Sequence, residues 1–194
     1  MASRRGSLQK LDARLRELAK RTPDSEQFFD IIFSLTDADH KPAALDRTAA
    51  ITAASFVEYA LQKAIITHLK KDITESELKQ LFDSPQSPLS SLSSKTIVGQ
   101  SLGVIQEDER QDLDTIRAIR NAFAHSMTQI EFKDLEVTEL CKTLHIAADF
   151  GELTQHPELS KHIFISCIAT LFFSLSTYRP GIEKEIFDFA SSPD

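Results

Sequence analysis

The sequence has no tryptophan, only five glycines among its 194 residues and only two cysteines. Scarce glycine, frequent Ala and Leu, and few stretches of strict polar–apolar alternation argue against a turn-rich β architecture. An all-α fold is expected. Cys141 and Cys167 lie far apart without metal-type spacing, so they are expected to be reduced, buried thiols. A glycine-rich phosphate loop is missing. Gly99-Gln-Ser-Leu-Gly103 sits inside an apolar helical pattern, where a packing role is expected.

There is no Gly-x-Ser-x-Gly elbow of the hydrolase kind. The six histidines (His40, His68, His125, His145, His156 and His162) show neither an HExxH pattern nor paired ligand spacing, so no metal and no cofactor is expected. Asp112 and Asp114 are two apart and diverge on a helix, which makes them a poor acid–base pair. The basic N-terminus lacks the following apolar block of a secretory leader. Ile163 to Tyr178 carries no charge, but it is shorter than the ~20 apolar residues of a bilayer span. Ser166, Thr170, Ser174 and Ser176 interrupt it. It reads as a core or dimer-interface helix, and a cytoplasmic chain without membrane contact is expected.

What the chain does have is ordinary for a globular protein: 41% hydrophobic and 26% charged residues. Its length suits one domain with a substantial core. The net charge is -7, but residues 1–21 hold seven basic groups against two acids. That segment carries +5 and the remainder -12. A basic arm can contact phosphates, and it can equally be a solvated leader helix. The expected organisation is a basic N-terminal helix or arm over 1–22, a helical bundle over 23–180 and a tail over 181–194.

Helical spacing of apolar residues places a leader helix over Ser7–Lys20 and a second helix from Asp24 or Ser25. A long helix is expected from about Ala44 to Lys71, and a short one from Thr74 or Glu75 to Phe82. Thr74 and Glu77 stand in a capping-box arrangement. The Ser/Pro-rich stretch over 83–94 is a loop by composition, yet Leu89 and Leu92 run on into Ile97, Val98 and Leu102, which ties it to the core. Gly103 is a natural helix stop. Glu107–His125, Asp134–Ile146 and Pro157–Tyr178 follow as helices, with a short one around Ile186, Phe187 and Phe189. About seven to nine helices result.

The stretch around which a function can be built is Asp114 to His125. Leu113, Ile116, Ile119 and Phe123 form an apolar stripe. Arg120 and Asn121 lie beside it, and His125 follows about one and a half turns after Arg120. A guanidinium, an amide and an imidazole at one helix end can tie the helix to the next loop. They can also bind a phosphate and move a proton. Asn121 is spaced to orient the His125 ring. One histidine does not easily serve as both acid and base, so the second use implies two copies facing each other. Glu58, the one acid between Asp46 and Asp72 in the long helix, needs a partner if buried. Arg120 or Arg117 is the expected one.

Arg120-Asn-Ala-Phe-Ala-His125 resembles the R-[polar]-x3-H motif of the HEPN superfamily. Those small helical-bundle proteins include metal-independent ribonucleases whose motif Arg and His, from two protomers, form a joint site. More narrowly, the chain is similar to the mannitol operon repressor family from about Thr48 to Val137. The similarity takes in the Glu58 helix, the segment Leu81 to Lys95 with its Leu…Pro-Leu-x-x-Leu-Ser pattern, Leu102-Gly-Val-Ile105 and the Arg-x4-His stretch. It implies an HEPN-like helical core with the Ser-rich segment ordered. It also implies a transcriptional regulator acting as a homodimer through protein contacts. No helix-turn-helix is visible and the charge is acidic, so direct DNA binding is not expected. The alternative is an endoribonuclease acting on RNA, with Arg120 holding phosphate, His125 transferring protons and Asn121 beside them.

Overall fold

The computed structural model describes residues 42–178 and 180. The expected leader helix, the second helix, the basic arm and the C-terminal helix and tail all lie outside the described residues. Contacts divide the chain into Met1–Ser34 and Leu35–Asp194, and every described residue belongs to the second unit.

Among the described residues there are seven α-helices and no strand: α1 (Pro42–Ile66), α2 (Glu75–Phe82), α3 (Leu92–Ser101), α4 (Glu107–His125), α5 (Leu135–Lys142), α6 (Ala147–Phe150) and α7 (Ser160–Thr177). The fold is the all-α bundle the composition predicts. α1 is its axis and packs against α7, α4 and α3. Its buried positions are Ala49, Ala50, Ala53, Ala54, Val57, Ala60, Leu61, Ala64 and Ile65. That set is wider than one stripe because the helix is covered on several sides. The alanines let its neighbours approach closely.

α7 supplies the second apolar wall through Ile163, Phe164, Ile165, Cys167, Ile168, Leu171 and Leu175. The span Pro157–Thr177 is long and apolar enough to cross a bilayer, yet half of its most apolar window is buried inside the bundle. It is therefore a core helix, as its serines and threonine suggest. Both cysteines are buried and free. Burial pushes the Cys141 thiol up to about 12 and raises that of Cys167 as well. Neither is a ready thiolate.

The short-range signals form as expected. The Thr74 N–H donates to Glu77 Oε2 at 2.8 Å and the Glu77 N–H donates to Thr74 Oγ1 at 3.3 Å, closing the capping box. The Thr74 N–H and the Thr74 hydroxyl both donate to the Glu77 carboxylate and, with Lys70 beside it, hold it down at about 2. The Ser-rich segment is ordered: the Leu89 N–H donates to the Leu81 carbonyl at 2.9 Å, and Leu89 and Leu92 are buried. Gly103 ends α3 with φ +70°, a left-handed value that suits glycine. Gly99 faces α1, where an added Cβ would lie 2.9 Å from Leu61 Cδ1, so α3 can approach only because that Cβ is missing.

Three helices are shorter than expected. α7 begins at Ser160, the turn Pro157–Leu159 before it being a 3-10 helix, and ends at Thr177. α1 stops at Ile66, not Lys71, because the N–H groups of Thr67, His68 and Leu69 bond to carbonyls three residues back. The Thr67 hydroxyl also donates to the Ala64 carbonyl at 2.7 Å. The expected Asp134–Ile146 helix likewise breaks after Lys142, where the Thr143 hydroxyl donates to the Leu140 carbonyl at 2.7 Å. At the ends of α1 and α5 a threonine hydroxyl competes for a carbonyl that would continue the helix.

Candidate functional site

α4 carries the predicted cluster. Its stripe of Leu113, Ile116, Ile119 and Phe123 is fully buried, which fixes the rotation of the helix. Arg117, Arg120 and Asn121 then fall on a half-buried flank, and His125 on an exposed end. The flank opens on a cleft of about 320 Å³. One wall is α1, with Ala54 and Glu58. The second is the start of α3, Ser90 to Ser93. The third is Arg117, Arg120 and Asn121 of α4.

Inside the cleft, Arg120 Nη1 donates to Asn121 Oδ1 at 3.0 Å. Arg117 Nη2 donates to Asp114 Oδ1 at 3.2 Å. The expectation that Glu58 pairs with Arg120 or Arg117 is corrected here: Glu58 Oε1 accepts from Lys95 Nζ at 2.7 Å. The cause is the close seat of α3 on α1. Gly99 meets Leu61, and one turn back along each helix this contact brings Lys95 beside Glu58. Lys95 is 5% exposed. It reaches the carboxylate from within the α1–α3 interface, whereas the guanidiniums stand across the cleft.

The expected gathering of three groups is met for two. Arg120 and Asn121 share the cleft, but His125 does not line it. An interval of five residues turns a helix through about 140°, which carries the imidazole off the guanidinium face. The expected orientation of the His125 ring by Asn121 is also absent among the described residues, where the hydrogen-bond partner of the amide is Arg120. The end of α4 beside His125 is held instead by Arg47, whose Nη2 donates to the Ser126 carbonyl at 2.8 Å.

Several charged side chains that sequence reasoning passed over prove central. Lys95 is one, and nothing in its local pattern marks it as buried. Asp46 is 6% exposed, accepts the Phe132 N–H at 2.9 Å and lies 3.3 Å from Lys161 Nζ. Asp112, read above only as half of a poor acid pair, is also 6% exposed. It accepts from the His145 N–H at 3.0 Å and from Cys167 Sγ at 3.5 Å, and lies 3.2 Å from His145 Nδ1. It sits at the edge of a larger cavity of about 630 Å³ between α4 and α7, rimmed by Asp108, Glu109 and Asp149. The stripe rule would have found Asp112, because it stands four residues before Ile116 and seven before Ile119, on the buried face of α4.

No family model matches this sequence, and no curated protein matches it. Among solved structures, the chain is similar to a chain of the X-ray structure of the MtlR–HPr complex from Escherichia coli. The identity is 16% and the TM-score 0.55, over 76% of this chain and 96% of that one. At so low an identity the likeness is one of fold: this helical bundle shares its architecture with a chain of the MtlR–HPr complex.

Proposed function

We propose that this chain is a regulator of the mannitol-operon-repressor kind, acting in the cytoplasm as a homodimer through contacts with a protein partner and not by binding DNA directly. The observation that carries the reading is the fold shared with nearly the whole of a chain whose solved structure is a protein–protein complex. The resemblance of the 48–137 stretch to the repressor family points the same way. The net charge of -7 disfavours a duplex phosphate surface. Apolar side chains stand exposed on several helices, including Ile97 on α3 and Phe173 on α7, and such groups are available to a partner.

The test is calorimetric titration of the full chain with HPr from the same genome, beside sedimentation of the chain alone. Saturable binding and a dimer are expected. Absence of saturable heat would end the reading.

A second reading is kept by one observation: Arg120 is not spent on Glu58, so its guanidinium faces the cleft. An HEPN-type endoribonuclease would join Arg120 of one copy to His125 of another. In that case the purified chain cleaves RNA without metal, and His125→Ala loses about 10²–10⁴-fold of the rate, the usual worth of a general acid–base group. Equal rates for the two proteins, or none from either, would remove the nuclease.

A further inference from the structure

The cleft between α1, α3 and α4 holds more positive charge than its neighbours neutralise. Glu58 is matched by Lys95 and Arg117 by Asp114. Arg120 has no carboxylate within ion-pair reach among the described residues, and its hydrogen-bond partner is the neutral Asn121 amide. Arg117 is only partly used: its Nη2 donates to Asp114, and its Nη1 has no partner among the described residues. Two half-buried guanidiniums, three residues apart on α4, thus face one space with donor capacity left over.

The opposite wall also offers donors. α3 is a ten-residue helix whose N-terminus opens on the same cleft. Ser91 caps it by accepting from the Ser94 N–H at 3.1 Å. The N–H groups of Leu92 and Ser93 in its first turn reach no acceptor among the described residues, and the Ser93 hydroxyl likewise has no partner there. Backbone N–H groups at a helix start and a positive helix end favour an anion. The guanidinium wall and the helix-start wall come from separate elements, and each presents unmet donors to the same volume.

We propose that this cleft binds a phosphomonoester, with the phosphoryl group held between Arg120 and Arg117 on one side and the Ser93 hydroxyl and the first N–H groups of α3 on the other. Planar guanidinium forks match the oxygens of a phosphoryl group. A dianion with three terminal oxygens can engage both forks and the helix start together. A carboxylate has two oxygens and one charge. The volume is at the small end for ligand sites, which suits a phosphoryl group with a few further atoms. The site lies within one chain and does not use His125; it shares Arg120 with the nuclease reading but needs neither a second copy nor a cleavage step, and it is independent of the regulator reading.

The test is calorimetric titration of the full chain with inorganic phosphate, glycerol phosphate, glycerol, acetate and single-stranded RNA. Phosphate and glycerol phosphate should bind saturably and compete with each other, while glycerol and acetate should give no saturable heat. Arg120→Met should weaken binding about tenfold or more, since a charge-assisted hydrogen bond is lost. Ser93→Asp should abolish binding and yet keep the fold, because an acid in the first turn suits a helix but repels a phosphoryl group. A thermal melt confirms that each variant is folded, and Ser93→Asp decides the matter if Arg120→Met is not. Lys142→Ala, a surface cation on α5, should bind as the parent does. The proposal is overturned if the two phosphates give no saturable heat, if both cleft variants bind unchanged, or if RNA binds and phosphate does not displace it.

Discussion

Phe132→Ala is expected to lower the unfolding free energy by about 3–5 kcal/mol, the range for emptying a buried aromatic site. Phe132 lies in the connection after α4, where composition gives little reason to expect a core residue. Its ring is 2% exposed and stands between Phe123 of α4 and Phe164 of α7, with centroids at 4.9 and 5.1 Å. Its backbone N–H is tied to the buried Asp46 of α1 at 2.9 Å. One residue therefore joins α1, α4 and α7 through stacking, burial and a charge-assisted hydrogen bond. Alanine leaves a cavity that three helices would have to close together. Urea denaturation followed by circular dichroism checks this, and a loss under about 1 kcal/mol would mean that the connection is not part of the core.

Glu58→Ala is expected to cost about 3 kcal/mol, the low end for stranding one member of a buried ion pair. The side chain of Lys95 is 6% exposed and that of Glu58 26%. The cost is therefore asymmetric. Removing Glu58 leaves an ammonium group inside the α1–α3 interface with no counter-ion. Lys95→Met removes the more buried charge and leaves Glu58 at the edge of the cleft, where water and Arg120 can serve it, so the loss should be smaller. The freed carboxylate should also draw on Arg120 and so weaken phosphate binding in the cleft. Paired denaturation curves decide the order. Equal losses would show that burial is not what separates the two partners.

Much of the local architecture is legible in residue spacing. The stripe of α4, its boundaries at Glu107 and His125, the Thr74–Glu77 box and the stop at Gly103 all follow from patterns within a few residues to one helix length. α1 and the helix after Asp134 are misjudged at their ends for one reason. A threonine hydroxyl bonding three residues back competes with a ladder whose apolar pattern continues past it, and periodicity does not register that competition.

The site divides along the same line. The sequence by itself determines that Arg117, Arg120 and Asn121 share a flank of α4, because an apolar stripe fixes the rotation of the helix. It also determines that Glu58, an acid among apolar neighbours, needs a cation. Only the tertiary structure decides which cation. Gly99 lets α3 settle on Leu61, and that seat delivers Lys95 to Glu58 before either arginine can reach it. The choice depends on how closely two helices distant in sequence approach each other, a distance set by the whole packed interface. The same contact leaves Arg120 facing an open cleft, and the turn of α4 sends His125 elsewhere.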